Sequence, residues 1–187
     1  MITVVSGLPR SGTSLVMQML AAGGHPILCD DQRTADADNP RGYLEFAPVK
    51  SLERDAAWLA QAEGKAVKII SFLLNKLPHD FEYRIIFLRR DLTEVLRSQE
   101  TMLQRRGQPP GPEAALMAIH FNKHLQTVDE WLSRQQHIQV LNCPYAELVQ
   151  NTAKTAQSIR EFLSLDLDVV QMAAAVDPSL YRQRTHT

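Results

Sequence analysis

A short segment close to the N-terminus has the composition of an anion-binding loop. The nucleotide-binding pattern G-x-x-x-x-G-K-S/T is matched at Gly7, Gly12 and Ser14, but Thr13 stands where that pattern has lysine. In such a loop, backbone N–H groups and the N-terminus of the following helix both point at the anion. A positive charge recurs three residues before the missing lysine, at Arg10. The segment therefore predicts an anion site without the lysine that holds the β- and γ-phosphates of ATP.

The missing lysine favours one kind of group transfer over another. A γ-phosphoryl group with Mg²⁺ has a high charge density, and kinases with this loop hold it with the lysine and the metal. A sulfonate group carries a single negative charge, so its transfer requires N–H donors and one cation near the oxygen on which charge develops. We therefore interpret the segment as a sulfonate-binding loop, and a tight turn that binds no ligand is the alternative.

The residues of this loop resemble those of a known family. The string from Pro9 to Ser14 is similar to the phosphosulfate-binding loop of the sulfotransferases that use 3′-phosphoadenosine 5′-phosphosulfate (PAPS), in which a Lys or Arg after proline precedes Ser-Gly-Thr. The resemblance implies the P-loop-type sulfotransferase fold and a metal-free, in-line transfer that leaves adenosine 3′,5′-bisphosphate (PAP). It implies that Arg10 stabilises the leaving oxygen. The donor-binding residues that it implies are Pro9, Arg10, Ser11, Gly12, Thr13 and Ser14.

A second motif follows a hydrophobic run that is typical of a buried strand. Arg90 stands at the end of this run, and Ser98 comes eight residues later in a segment with helical periodicity. This spacing resembles the 3′-phosphate motif of the same family, and guanidinium and hydroxyl donors both suit a phosphate. Arg89 is an alternative to Arg90. Residues 38–45 and 143–148 also resemble stretches of bacterial sulfotransferases, so the likeness extends over most of the chain.

The sequence defines the general base less sharply than it defines the donor-binding residues. A carboxylate or an imidazole within hydrogen-bond reach of the acceptor would serve. Asp31 and Glu45 follow the second predicted strand, and Asp31 stands where tyrosylprotein sulfotransferases, members of the resembled family, carry an acid. We expect Asp31 or Glu45 to be the base, and solvated loop carboxylates are the alternative. His120 and His124 have the i, i+4 spacing of metal ligands, but no third ligand is near them in sequence, so we expect no metal site.

Strands and helices alternate along the chain. The predicted strands are Ile2–Val5, Pro26–Cys29, Ala66–Ile70, Arg84–Leu88 and Ile138–Asn142. The principal predicted helices are Leu15–Ala22, Asp91–Arg106 and Glu113–Arg134. This alternation predicts an α/β fold, a three-layer sandwich with a mostly parallel central sheet. Lys68, which leaves the third predicted strand, could approach the site, but we expect it to be solvated. Arg182 and Arg184 could close over the adenosine phosphate, but we expect an ordinary frayed tail at the C-terminus.

Size and composition limit the classes of protein. The chain has 187 residues, of which 44% are hydrophobic, and we expect a single domain over residues 1–187. Its formal net charge of −1 predicts neither a nucleic-acid partner nor a membrane partner, so any anion site must be local. The chain has only two cysteines and no N-terminal signal pattern, from which we expect a reducing, cytoplasmic location.

Two other functions fit part of this pattern. A small-molecule kinase with an altered loop would require a metal-binding carboxylate at a strand end. A nucleotide-binding regulatory protein would keep the loop but would have no catalytic base. The sulfotransferase hypothesis predicts PAPS as the donor and a hydroxyl or amine as the acceptor. No pattern in the sequence defines the acceptor itself or the oligomeric state.

Overall fold

A parallel sheet organises the chain. The computed structural model describes residues 1–30, 32, 35, 36, 39 and 41–177. Within them, the strands are β1 (Ile2–Gly7), β2 (Ala66–Lys68), β3 (Tyr83–Arg89) and β4 (Ile138–Pro144). They form one sheet in the order β2-β1-β3-β4, and every pairing is parallel. The carboxyl ends of all four strands therefore lie at the same edge of the sheet.

Helices connect these strands. In the described part of the chain they are α1 (Thr13–Ala22), α2 (Leu92–Arg105), α3 (Ala114–Leu132), α4 (Tyr145–Gln150), α5 (Thr152–Leu163) and α6 (Val169–Ala174), with 3₁₀ segments at Ala47–Ser51, Ala57–Ala62 and Ser71–Lys76. The three helices that the sequence predicts are present, with ends that differ by at most two residues. A membrane-spanning segment, which must be both long and apolar, is not found among these helices.

Side chains of β3 alternate between two hydrophobic cores. Ile85 and Phe87 pack in a core with residues of the 3₁₀ segments and α3. Ile86 and Leu88 pack in a second core with residues of α1, α5 and α6. Successive residues of a strand point to opposite faces, so this pattern places a helical layer on each side of the sheet. The predicted three-layer α/β sandwich with a parallel sheet is confirmed.

The prediction of a strand at Pro26–Cys29 is wrong. This segment makes only an isolated bridge between Ile27 and Ala66, in which Leu28 N–H donates to the Ala66 carbonyl at 2.8 Å. Two residues later, Asp30 N–H donates to Glu45 O at 2.8 Å, so the chain has already left the sheet. Strand β2 is three residues long and offers the segment little edge to pair with.

Candidate functional site

A cavity of about 730 Å³ opens at the carboxyl edge of the sheet. Its wall is built from the loop after β1, the first turn of α1, the residues that follow β2 and β3, and one face of α2. Tyr145, which follows β4 directly, closes one side. In parallel α/β sheets, ligands bind in the crevice outside the carboxyl ends of the strands. The loop from Pro9 to Ser14 lies in this position.

The loop between β1 and α1 is packed too closely for larger residues at two points. Gly12 has φ 102°, and a Cβ atom there would lie 2.5 Å from the Tyr145 ring. At Gly7, a Cβ atom would lie 2.5 Å from Ser11 Oγ and 2.9 Å from the Leu88 carbonyl oxygen. Only glycine allows these approaches without a shift of neighbouring atoms. The two glycines of the motif therefore fix the path of the loop.

Donor groups converge on this loop. Thr13 and Ser14 form the first turn of α1, where backbone N–H groups have no carbonyl partner within the helix. Ser11 N–H donates to Leu8 O at 3.1 Å and so stabilises the loop itself. The hydroxyl of Ser11 is buried and has no hydrogen-bond partner among the described residues. A buried hydroxyl without a partner is costly, and an anion bound at the loop is one acceptor that would satisfy it.

The two sequence motifs meet in space. Arg10 Nε donates to Ser98 Oγ at 3.0 Å, and Arg90 Nη1 donates to the Arg10 carbonyl oxygen at 3.0 Å. Arg10 has φ 69°, an unusual backbone conformation for a residue other than glycine. Such strain is typical of positions that the surrounding structure holds for function. The structure therefore joins the β1 loop to the end of β3 and to α2 through these three side chains.

Two further contacts hold Arg90 in place. Its Nε atom lies 3.0 Å from Glu94 Oε2, and both side chains are almost completely buried. The guanidinium also lies over the Tyr145 ring, 4.4 Å from the ring centroid. A buried carboxylate requires such a charge partner. Arg90 is thus anchored from α2 and from the start of α4, and it lines the cavity.

Lys68 brings another positive charge to the loop. Its side chain comes from the last residue of β2, and Lys68 is only 7% exposed. Its Nζ atom donates to Ser14 Oγ at 3.2 Å and to the Tyr43 carbonyl, and it lies 3.4 Å from Glu45 Oε1. Ser14 Oγ in turn donates to the Tyr43 carbonyl at 3.3 Å. The ammonium group therefore lies between the first turn of α1 and the carboxylate of Glu45.

The comparison with protein families favours one of the functions that the sequence left open. The family model for the sulfotransferase domain matches residues 2–183, almost the whole chain. The chain belongs to the sulfotransferase family. Membership makes this sulfotransferase a transferase of sulfonate groups, and it agrees with the resemblance seen in the loop and in the Arg90 and Ser98 pair. No curated protein matches the sequence significantly.

Three solved structures share the fold of this sulfotransferase. A sulfotransferase domain from the olefin synthase of Synechococcus PCC 7002 has a TM-score of 0.57 at 17% identity, over 99% of this chain and 88% of that chain. A sulfotransferase domain from the curacin biosynthetic pathway has a TM-score of 0.55 at 14% identity, over 95% and 84% of the two chains. Mouse sulfotransferase SULT7A1, solved with PAP, has a TM-score of 0.50 at 18% identity, over 93% and 61%.

The sulfotransferase structure separates the two arginines that the sequence left as alternatives. Arg89 Nε donates to Asn142 Oδ1 at 2.9 Å, and its Nη2 atom pairs with Asp129 on α3. These contacts hold the Arg89 side chain against β4 and α3, and Arg90 alone of the two lines the cavity. Adjacent residues at a strand end point to opposite faces, so the side chain of Arg89 points away from the cavity that Arg90 lines. We therefore keep Arg90 as the candidate ligand.

The candidate bases occupy different places. Glu45 lines the cavity and is half-buried beside Lys68. Asp31 lies outside the described residues. His124 Nε2 lies 2.9 Å from Ser71 Oγ and its ring stacks on Phe72 with centroids 3.9 Å apart, so it is not part of the cavity lining. Burial lowers the pKa of His124. His120 is exposed on α3, and Arg182 and Arg184 lie outside the described residues.

Sequence reasoning missed part of the wall of the cavity. Lys68 is buried in the cavity wall, so the expectation of a solvated side chain is wrong and the alternative, that Lys68 approaches the site, is correct. Its burial follows from the pairing of β2 with β1, which brings the end of β2 beside the loop. The Tyr43 hydroxyl donates to Asp36 Oδ1 at 2.7 Å, and Arg106 Nη2 lies 3.1 Å from Asp36 Oδ2. No local motif marks this contact between residues 36 and 106.

Proposed function

We propose that this sulfotransferase moves the sulfonate group of PAPS to a hydroxyl or amine acceptor and leaves PAP. The observation that carries the proposal is the contact of Arg90 with Arg10 and of Arg10 with Ser98 at the edge of the cavity. Residues 80 positions apart, which resemble separate parts of a PAPS site, are thus in direct contact, and this contact supports the proposal. The fold that the chain shares with a mouse sulfotransferase solved with PAP supports the same donor.

The residues at the cavity fit the anionic groups of this donor. Arg90 and Ser98 offer a guanidinium and a hydroxyl for the 3′-phosphate. The loop from Pro9 to Ser14 would bind the phosphosulfate, and the unpartnered hydroxyl of Ser11 fits an anion there. The positive end of α1 and the ammonium of Lys68 favour negative charge at the same place. No group of three or more metal-ligating side chains is found among the described residues, and this arrangement requires none.

Three residues have separate parts in the transfer that we propose. PAPS supplies an activated sulfonate: the acceptor oxygen or nitrogen bonds to sulfur as the bond from sulfur to the bridging oxygen breaks, and the electron pair leaves with PAP. Arg10 would stabilise the charge that develops on that oxygen, and Ser98 would hold Arg10 in position. Glu45 would accept the acceptor's proton, since it lines the cavity as a carboxylate paired with Lys68.

A transfer assay with labelled donor tests this proposal. The protein is incubated with PAPS that carries ³⁵S and with a panel of alcohols and amines, in the presence of EDTA. We expect a labelled product and one PAP for each sulfonate transferred, at the same rate with and without EDTA. Transfer that stops when divalent metal is removed would contradict the metal-free arrangement. Absence of any transfer from PAPS, together with transfer of the γ-phosphoryl group of ATP, would contradict the proposed donor.

A further inference from the structure

The N-terminal half of α3 carries apolar side chains on two sides. On its inner side, Met117 and Phe121 pack in a hydrophobic cluster with residues of α2. On its outer side, Leu116 is 48% exposed and Ile119 is 64% exposed, and neither of these two residues lines the cavity. A helix that packs against its own domain on one side requires only one apolar stripe. Neither the core nor the donor site therefore explains the outer apolar side chains.

Four residues form this outer side, which we call the α3 face. Because an α-helix has 3.6 residues per turn, residues three and four positions apart lie on the same side of it. The α3 face consists of Leu116, Ile119, His120 and Lys123, all of which are exposed. Glu113, the N-cap residue of the helix, is exposed as well. The α3 face is therefore apolar in the middle, with an acidic residue before it and a basic residue at its far end.

Phe72 widens the apolar surface beside the α3 face. It is 44% exposed, and its ring stacks on that of His124 with centroids 3.9 Å apart. His124 lies one turn after His120, so Phe72 borders the α3 face. Six large apolar side chains are exposed in the described part of the chain, and Phe72, Leu116 and Ile119 are three of them. Contiguous apolar exposure of this kind marks a surface that another molecule covers.

The charges at the two ends of the α3 face indicate what covers it. Glu113 and Lys123 are ten residues apart in the sequence, and each residue of a helix advances about 1.5 Å along its axis. Among the described residues, neither of these two side chains has an ion-pair partner. In a two-fold symmetric contact, the same surface of both copies must be complementary to itself. An axis at the level of Ala118, midway between them, would bring Glu113 of each copy to Lys123 of the other.

We propose that the chain forms a homodimer in which the α3 faces of two copies pack antiparallel across a two-fold axis. The axis that pairs the charges also suits the apolar residues, since Leu116 and His120 are equally far from residue 118. Leu116 of each copy would pack on the His120 ring of the other, with Ile119 close to the axis. A contact made by one helix face and one neighbouring ring is small, and small interfaces are weak. We therefore expect a dimer whose Kd lies in the micromolar range.

Sedimentation equilibrium of the full chain tests this proposal. The apparent mass is measured from about 1 µM to about 300 µM protein, a range that includes the Kd expected for a weak interface. We expect it to rise from the mass of one chain toward the mass of two. Ile119→Glu should raise the dimer Kd at least about tenfold, because it places a charge in the middle of the contact. The matched control is Val170→Glu, at a residue 73% exposed on α6 in the opposite helical layer, and it should leave the Kd unchanged.

Reversal of the two charges tests the symmetry of the contact. Glu113→Lys and Lys123→Glu each place like charges opposite one another, once on each side of the axis, and each should raise the dimer Kd about three- to tenfold. The double variant Glu113→Lys/Lys123→Glu restores opposite charges and should return the Kd to within about twofold of the unaltered protein. A general loss of stability in the single variants would not be rescued in this way. PAP affinity should be the same in all of these variants, because the changed residues do not line the cavity.

Three results would overturn the proposal. One is the mass of a single chain at every concentration, which would leave the α3 face to a different protein. Another is a dimer that Val170→Glu weakens as much as Ile119→Glu does. The third is a double charge reversal that dissociates as readily as the single ones, because the dimer would then use another surface. Failure to bind PAP would contradict the proposed donor and would leave the dimer as it is.

Discussion

Substitution of Gly12 by alanine tests how closely the donor loop must pack. Gly12 is the N-cap residue of α1 and has φ 102°. The added Cβ would lie 2.5 Å from Tyr145 Cδ2 and 2.6 Å from Cε2. Tyr145 in turn lies under the Arg90 guanidinium. The methyl group would therefore disturb both the path of the loop and the support of Arg90.

Two contributions set the expected loss of stability. A residue other than glycine in a left-handed conformation costs about 1–2 kcal/mol. An extra carbon in a packed site costs about 1–3 kcal/mol more. Gly12→Ala should therefore lower the free energy of unfolding by about 2–5 kcal/mol. Gly24, with φ 88° and no atom within 4 Å of the added Cβ, is the matched control because only the backbone contribution remains.

Urea denaturation of four variants separates these contributions. Gly24→Ala should lose about 1–2 kcal/mol. The double variant Gly12→Ala/Tyr145→Ala should lose less than the sum of its single changes, because removing the ring removes the clash. PAP affinity should fall in Gly12→Ala and persist in Gly24→Ala. Equal losses of stability in Gly12→Ala and Gly24→Ala, with additive behaviour of the double variant, would refute the packing of Gly12 against Tyr145.

Three further predictions concern single residues of the site and the core. Arg90→Ala should chiefly weaken PAP binding, while Arg10→Ala should chiefly lower kcat because the charge on the bridging oxygen appears only as the bond breaks. Arg89→Ala is the control for both variants. Equal losses of kcat in Arg90→Ala and Arg10→Ala, with PAP affinity kept in both, would contradict this division between binding and catalysis. Glu45→Gln should lower kcat roughly 10²–10⁴-fold with PAP affinity nearly unchanged, and near-normal turnover would exclude Glu45 as the base. Burial lowers the pKa of His25 from its ordinary value of 6.5, so the unfolded chain binds more protons than the folded one and stability falls as the pH drops below 6.5. The loss of unfolding free energy between pH 7.5 and pH 5.5, measured by urea titration, should be smaller in His25→Gln than in the unaltered protein. An equal loss in the two proteins would contradict this role of His25.

Local patterns in the sequence predicted the parts of the site that depend on local geometry. The loop at Pro9–Ser14 and the spacing of Arg90 and Ser98 each depend on one strand and the helix after it, so their signals lie within a few residues. The layers of the fold follow from apolar strands that alternate with helices. These features could be stated before any strand pairing was known.

The remaining features depend on which strands are neighbours. Lys68 is buried beside the β1 loop because β2 pairs with β1, and no pattern within β2 records that pairing. The difference between Arg89 and Arg90 depends on which face of the sheet the cavity occupies. The direct contact between Arg10 and Ser98 joins residues 88 positions apart. For the same reason, the apolar run at Pro26–Cys29 gave a wrong strand, since its outcome was decided by the short β2.

The choice of PAPS as the donor is the central claim, and ligand-induced thermal stabilisation tests it most directly. PAP at about one hundred times its Kd, without divalent metal, should stabilise the protein by about 2.7 kcal/mol. For a domain of this size, each kcal/mol raises Tm by about 2–4 °C, so the expected increase is about 5–11 °C. ATP with Mg²⁺ at the same concentration should give a smaller increase. A larger increase with ATP and Mg²⁺ than with PAP would contradict the donor assignment.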